Sequence, residues 1–240
     1  MSVVTVPIID IEAVTPRSRL LTLDLKEHAL AFKPGQAVMV GTRDQSERRP
    51  YSIACSPEQA EETGRLELLI AIEPDGGLSG TLEAARPGTV VEVEGPIGTF
   101  TLPAAVPAGW VLFVAGGTGI APLRSMLDHL LRRRAAQRLS LLYSARRRDE
   151  FAFIDDLRAH ADAGRVELHQ TVTRDDSMSW TGRRGRIGRD HFEAVLHEAD
   201  ATICFVCGPA SLVHESVATL KALGVPEDQI KTESWGSEKV

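Results

Sequence analysis

At 240 residues, 43% hydrophobic and 25% charged, the chain has an ordinary globular composition and the length for one large domain or two of about 100 residues. A net charge of −6 with a pI near 5.7 argues against nucleic acid as a partner, and no apolar run approaches the roughly 18 residues that span a bilayer. Three cysteines make no disulfide framework, and the N-terminus MSVVTVPIIDIEA lacks a signal peptide's basic flank and long apolar core, so a reducing cytoplasm is the expected compartment.

Residues 1–103 read as β-structure. Short runs rich in β-branched and apolar residues recur as VVTVPIIDI, LLTLDL, QAVMVGT, YSIACS, LELLIAI and TVVEVEGP. Turn signals separate them: Lys33-Pro34-Gly35, Asp75-Gly76-Gly77, Arg86-Pro87-Gly88 and Gly95-Pro96. Short strands with a turn roughly every 10–15 residues predict a closed antiparallel barrel or sandwich. In RRPYSIACS, Arg48 to Ser56, strand alternation puts Arg49, Tyr51 and Ile53 on one face and Ser52 on the other. A basic group and an aromatic ring therefore fall side by side. GGLSGTLEAA, Gly76 to Ala85, departs from the β pattern as a glycine turn opening a short helix, with Ser79 as candidate N-cap.

Leu102 to Gly109 is rich in proline and alanine and lacks a periodic face, which marks it as the linker between domains 1–103 and 104–240. Beyond it strands and helices alternate. WVLFVAG, LSLLYSA, VELHQTVT and ATICFVCG read as strands; APLRSMLDHLLRRRAAQ, DEFAFIDDLRAHADA, RDHFEAVLHEA and ASLVHESVATLKALG read as helices. Apolar strands separated by helices predict a parallel sheet covered on both faces.

Gly116-Gly117-Thr118-Gly119-Ile120-Ala121-Pro122 follows the first strand of this half and opens its first helix. Glycines there let backbone approach a pyrophosphate, whose charge the helix N-terminus favours. Pro122 stands where a G-x-G-x-x-G would carry its third glycine, and proline suits the first turn of a helix. The second strand ends in Ser144-Ala145-Arg146-Arg147-Arg148, where an NAD site carries an acid for the ribose. A basic end, with Arg174 after the third strand, favours a 2′-phosphate and so NADPH over NADH. Asp149 and Glu150 lie close enough to blunt the effect. Cys204 and Cys207 form a C-x-x-C, but residues three apart in a strand lie about 10 Å apart on opposite faces, which excludes a disulfide. No second cysteine or histidine pair completes a metal site, and His169 and His214 stand singly.

Taken in order, these motifs resemble the ferredoxin–NADP reductase superfamily along nearly the whole chain. Arg49-Pro50-Tyr51-Ser52 is similar to its R-x-Y-S flavin motif, Gly76-Gly77-Leu78-Ser79 to its glycine–serine helix start, and Gly95-Pro96-Ile97-Gly98-Thr99-Phe100 to the end of its barrel. Gly116 to Pro122 resembles its nicotinamide nucleotide loop, Cys207-Gly208-Pro209 its late C-G-P, and Glu233-Ser234-Trp235 its terminal acid–x–aromatic. The resemblance implies an antiparallel β-barrel carrying FAD and an α/β domain with a parallel sheet carrying NADPH (NADH remaining possible), with hydride passing between the cofactors.

By the same resemblance Arg49 and Pro50 belong to the flavin pyrophosphate site, Tyr51 stacks on the isoalloxazine and Ser52 hydrogen-bonds near its N5. Backbone at Leu69, Ile70, Ala71 and Ile72 runs beside the ribityl chain, and Gly76, Gly77, Leu78 and Ser79 bind pyrophosphate. Gly117, Thr118 and Gly119 meet the nucleotide pyrophosphate; Ser144, Arg146, Arg147 and Arg174 meet the 2′-phosphate. Cys207, with Gly208 and Pro209, and Glu233 flank the nicotinamide, and Trp235 shields the flavin. Catalytic roles are thus expected of Ser52, Cys207 and Glu233, with no metal.

The chain lacks a C-x4-C-x2-C segment, so no plant-type ferredoxin domain is fused. Electrons are expected to pass to a separate carrier such as a ferredoxin, a flavodoxin or an oxygenase component, from a monomer. Two alternatives are a flavin reductase releasing free reduced flavin and a non-catalytic electron-transfer subunit of a larger complex. Arginines at 132–134 and 138, and at 183, 184, 186 and 189, offer docking for an acidic carrier or simply a solvated face.

Overall fold

The computed structural model describes residues 3–26, 28, 30–42, 48–72, 77–106 and 109–235. Asp75 and Gly76, named above, lie outside them. The alternating runs of the first half form β1 (Val3–Thr15), β2 (Ser18–Asp24), β3 (Ala37–Thr42), β4 (Arg48–Ser52), β5 (Arg65–Ala71) and β6 (Val90–Ile97). They make one antiparallel sheet in the order β4-β3-β6-β1-β2-β5. Its two edges meet where Ile53 bridges Leu68 and Ala54 N–H donates to the Glu67 carbonyl at 2.8 Å, closing the expected barrel. Val38, Val40, Leu68, Ile70, Val91 and Val93 fill the interior at 0% exposure, each burial contributing about 1.5–3 kcal/mol.

Two short helices interrupt the strands. α1 (Pro57–Thr63), not anticipated, starts at Ser56, whose Oγ accepts from Gln59 N–H at 3.1 Å. α2 (Gly77–Ala84) is the predicted helix, but Ser79 lies inside it and is 2% exposed. That corrects its assignment as N-cap: a cap residue is the half-helical one before the first turn.

The second half forms β7 (Trp110–Gly116), α3 (Ile120–Arg132), β8 (Arg138–Ala145), α4 (Ile154–Asp162), β9 (Glu167–Val172), β10 (Arg183–Arg184), α5 (Arg189–Glu193), β11 (Thr202–Pro209), α6 (Ala210–Ala222) and β12 (Ile230–Trp235). All pairings in this sheet are parallel, in the order β10-β9-β8-β7-β11-β12. The predicted helix from Asp149 starts only at Ile154, behind a 3-10 turn at Arg148–Glu150. The one from Arg189 is a single short turn. β12 turns the polar terminus into sheet, pairing Cys207 with Glu233 and Pro209 with Trp235.

Packing separates two units, Met1–Leu102 with Ala121–Arg133, and Pro103–Ile120 with Arg134–Val240. Most of α3 therefore belongs with the barrel. Arg124 Nη1 donates to the Ala54 carbonyl at 2.9 Å and to Glu67 Oε2 at 2.7 Å. Ser125 Oγ donates to the Cys55 carbonyl at 2.6 Å, and Ser56 Oγ to Asp128 Oδ2 at 2.6 Å. His129 and Arg133 meet Glu58 of α1, each at 2.9 Å. Among the described residues no helix is long and apolar enough to cross a membrane.

Candidate functional site

In the barrel unit, register decides which way the R-x-Y-S residues face. Arg49 lies opposite Val40 and Tyr51 opposite Val38, and directly opposed residues share a face. Arg49 and Tyr51 thus flank the apolar core, and Tyr51 packs against it half-buried. Arg48 faces outward and is held by Glu92 at 2.6 Å and Glu94 at 2.9 Å. Burial lowers its pKa less than these two carboxylates raise it, the Glu92 hydrogen bond most of all. Of the two adjacent arginines, Arg48 is therefore structural. Pro50 is exposed. Ser52, opposite Ala37, is the last residue of β4, after which Ile53 crosses to Leu68.

α2 brings its start to this arginine. Gly77 has φ +56°, and a Cβ there would lie 3.3 Å from Arg49 Nη2, so the missing side chain lets the guanidinium approach the first helical turn. A cation beside the N–H groups of a helix start is a cradle for a phosphate-sized anion. Leu78 and Ser79 anchor the turn, at 0% and 2% exposure. β5 ends the sheet order; beyond its bridge at Leu68, Leu69 to Ala71 have no further strand partner among the described residues. Ile72 N–H is used by the Arg17 carbonyl at 2.9 Å. The edge at Leu69 to Ala71 thus offers backbone hydrogen-bonding groups, and the residues fit a flavin dinucleotide.

In the second unit the strand order reverses at β7, with β8 on one side and β11 on the other, which is where ligands bind in open parallel sheets. Gly117–Gly119 form a 3-10 turn there, leading into α3 with Pro122 in its first turn. At Gly119 a Cβ would lie 2.5 Å from Trp235 Cη2 and 2.6 Å from the Cys207 carbonyl carbon; only glycine admits both neighbours. Tyr143, fully buried, donates from Oη to the Gly117 carbonyl at 3.1 Å and accepts from Ala152 N–H at 3.1 Å. It holds the loop from below, a role hidden in sequence by its place in an apolar run. Gly116 and Gly208 are also in close approach, a Cβ on Gly208 lying 3.2 Å from Gly116 Cα.

At the next strand ends, Cys207 Sγ donates to Glu233 Oε2 at 3.8 Å. Burial keeps the thiol well above its ordinary pKa, and the facing carboxylate adds to that. Burial likewise raises Glu233, against the lowering effect of the thiol hydrogen bond. The pair is a neutral donor beside a half-buried acid, not an activated nucleophile. Cys204 is buried in the core, its thiol pushed up to about 12 by burial, and all three cysteines are free. Pro209 is exposed; Trp235 closes β12, 39% exposed, with its ring against Gly119.

The basic corner is more constrained than its sequence suggests. Ser144 is 6% exposed at the end of β8. Arg147 is gripped by Asp149 through two contacts of 3.1 Å. Arg174 is exposed, and its guanidinium makes no hydrogen bond or ion pair among the described residues. The two basic runs are also largely spent within the chain: Arg132 on Asp128 and Glu62, Arg133 on Glu58, Arg183 on Asp190, Arg186 on Glu215 and Arg189 on Glu193. Arg184 bonds the carbonyls of Ser177 and Trp180, and Arg138 lies over the Trp110 ring. His169 is not isolated either; it meets Glu167 at 2.9 Å, and His197 meets the same carboxylate at 2.7 Å. No group of metal-ligating side chains occurs among the described residues.

Residues 5–102 match the family model of the oxidoreductase FAD-binding domain, and residues 113–217 that of the oxidoreductase NAD-binding domain. A ferredoxin–NADP reductase B of Sorangium cellulosum is 35% identical over 198 residues, 78% of each chain. The electron transfer component of a xylene/toluene monooxygenase from Pseudomonas putida is 29% identical over 84% of this chain. The chain spans 57% of that protein's length and 54% of a Rhodopirellula baltica flavohemoprotein's. Among solved structures, the ferredoxin reductase in carbazole 1,9a-dioxygenase superposes with a TM-score of 0.86 over 98% of this chain and 70% of its own, at 24% identity. A Neisseria gonorrhoeae ferredoxin NADP+ reductase with bound FAD and NADP gives 0.84 over 98% and 99%, at 21% identity.

Proposed function

Because the chain belongs to the ferredoxin–NADP reductase superfamily, as an FAD- and pyridine-nucleotide-binding flavoprotein oxidoreductase, we propose that it oxidises NADPH and delivers the electrons singly to a separate redox protein. The observation that carries this reading is the glycine turn at the sheet's switch point, with the Cys207–Glu233 pair at the adjoining strand ends. FAD, when bound, accepts two electrons as hydride and passes them on one at a time.

The chain's own residues do the binding and orientation. Arg49 with the Gly77–Ser79 turn holds the flavin pyrophosphate, and the Leu69–Ile72 edge lies along its ribityl side. Tyr51 provides stacking area, and Ser52 offers a hydroxyl toward the ring nitrogen whose charge changes. Gly117 to Gly119 admit the nucleotide pyrophosphate, with Gly208 and Pro209 at the neighbouring strand end. Cys207 and Glu233 flank the nicotinamide without ionised sulfur, and Trp235 covers the loop until the nucleotide enters. Ser144, Arg146 and Arg174 favour a 2′-phosphate, with Arg147 restrained by Asp149. An oxygenase component or a ferredoxin is the acceptor class, by likeness to relatives named as electron transfer components and ferredoxin reductase.

A visible spectrum followed by anaerobic addition of NADPH and then NADH tests the proposal. The expected result is a yellow protein bleached by NADPH at lower concentration than by NADH. Colourless purified protein that takes up no added FAD sinks it, and colour bleached by neither nucleotide points to a subunit that does not itself oxidise a nicotinamide.

A further inference from the structure

We propose that Asp175 is a positioning residue for the nucleotide 2′-phosphate: its carboxylate clasps the loop after β8 to the loop after β9, so that Arg146 and Arg174 are presented from two strand ends as one site. The inference deepens the NADPH reading above and rests on it.

β8 and β9 end side by side, with Ala145 paired to Val172. The ladder then continues beyond the strands. Thr173 N–H donates to the Ala145 carbonyl at 3.0 Å and Arg174 N–H to the Arg146 carbonyl at 2.8 Å. At the next step a side chain takes over from backbone: Asp175 Oδ2 accepts from Arg148 N–H at 2.9 Å. Its Oδ1 accepts from Ser177 N–H, also at 2.9 Å. Arg184 secures the far side of the same loop, donating to the carbonyls of Ser177 at 2.8 Å and Trp180 at 3.0 Å.

This acid is not a ribose grip of the NAD kind, because both of its oxygens are engaged by backbone amides and turned into the loop. Those hydrogen bonds, the one from Arg148 first, hold its carboxyl below the ordinary aspartate value, so the clasp is ionised at neutral pH. The consequence lies with the arginines. Arg147 is gripped by Asp149, and of the two cations assigned to the phosphate above, Arg146 follows β8 and Arg174 follows β9. They sit on different loops, and a site made from two loops requires their backbones to be held together, or the ordering cost of two long side chains falls on the ligand.

The test measures Kd for NADP+ and for NAD+ by calorimetry on the flavin-loaded protein and on Asp175→Ala and Asp175→Asn. Asp175→Ala is expected to weaken NADP+ about tenfold, the equivalent of one lost charge-assisted hydrogen bond, and to change NAD+ less than about twofold. Asp175→Asn, which keeps one acceptor oxygen, should fall between. Equal losses for both nucleotides, or an unchanged preference in either folded variant with parental flavin content, would overturn the inference while leaving the NADPH reading intact. Should Asp175→Ala not fold, Asp175→Asn alone decides in the same terms. If the parent protein itself binds NADP+ no more tightly than NAD+, the NADPH reading fails and this inference falls with it.

Discussion

Adding one methyl group at Gly119 should damage the nucleotide loop more than the same change at any neighbouring glycine. A Cβ there would overlap the Cys207 carbonyl oxygen and lie 2.6 Å from its carbon and 2.5 Å from Trp235 Cη2. The indole can turn away, but the carbonyl cannot, because Cys207 is paired with Ala115 on one side and Glu233 on the other. Overpacking of a site that cannot give costs about 1–3 kcal/mol, and the inflexible partner argues for the upper part of that range. For a chain this long, each kcal/mol lowers the midpoint by about 2–4 °C, so Gly119→Ala should unfold roughly 5–10 °C earlier. Gly117→Ala has nothing within 4 Å and φ +54°, so only the left-handed conformation is penalised, about 1–2 kcal/mol. Gly80→Ala, also with nothing within 4 Å, replaces a helical glycine and should gain about 0.5–1 kcal/mol. Thermal unfolding by near-UV circular dichroism, with and without NADP+, ranks the three. If Gly119→Ala matches the parent in midpoint and nucleotide affinity, or Gly117→Ala is the worse of the two, the close approach is not what requires glycine.

Two further outcomes follow from charges described above. Asp149→Asn releases Arg147 and should tighten NADP+ binding about two- to fivefold, the scale of an exposed ion pair, with NAD+ unchanged; calorimetry showing no tightening would mean that Arg147 plays no part. Glu167 is pushed up by burial but pulled lower still by hydrogen bonds from His197, His169 and Ser140, ending below its ordinary 4.5. Its folded pKa is thus depressed, so its contribution to stability is full above about pH 4.5 and is lost as pH falls through the lower folded value. Glu167→Gln should flatten that acid limb in a plot of unfolding midpoint against pH, and an unchanged slope below pH 4.5 would count against it.

Much of the architecture was legible because it rests on periodicity. The alternation in β1 to β6 and the apolar runs of β7, β8 and β11 report burial directly, and the glycine loop sits at a position that strand and helix order alone define. What was not legible has one of two physical causes, partners distant in sequence or an absent apolar pattern. β12 exposes Lys231, Thr232, Ser234 and Trp235, so it carries no hydrophobic signal; only its neighbour β11 makes it a strand. α1 buries Ala60 alone, too little for a periodic face, although Ser56-Pro57-Glu58 is a helix-start signature. Arg132 and Arg133, at and just past the end of α3, read as a docking surface because two of their carboxylate partners, Glu62 and Glu58, lie far away in sequence in α1. Tyr143 stood in sequence only as one member of the apolar run LSLLYSA, because the carbonyl it supports belongs to another strand's loop. At the basic corner the arginines were visible in sequence, but which of them is spent on Asp149 was not.

The packing of α3 bears on how such chains are cut and recombined. A break between residues 103 and 104 looks like a clean seam in the sequence, yet it removes from the barrel the helix that satisfies it. Glu67 would lose Arg124, the Cys55 carbonyl its hydroxyl donor, Ser56 its carboxylate, and Glu58 both His129 and Arg133. The compact unit built on the barrel is therefore discontinuous in sequence, with the thirteen residues Ala121–Arg133 taken from across the seam. A chimera between relatives that exchanges halves at the linker mismatches this helix with a foreign barrel, whereas one that moves Ala121–Arg133 along with the barrel keeps every one of these partners.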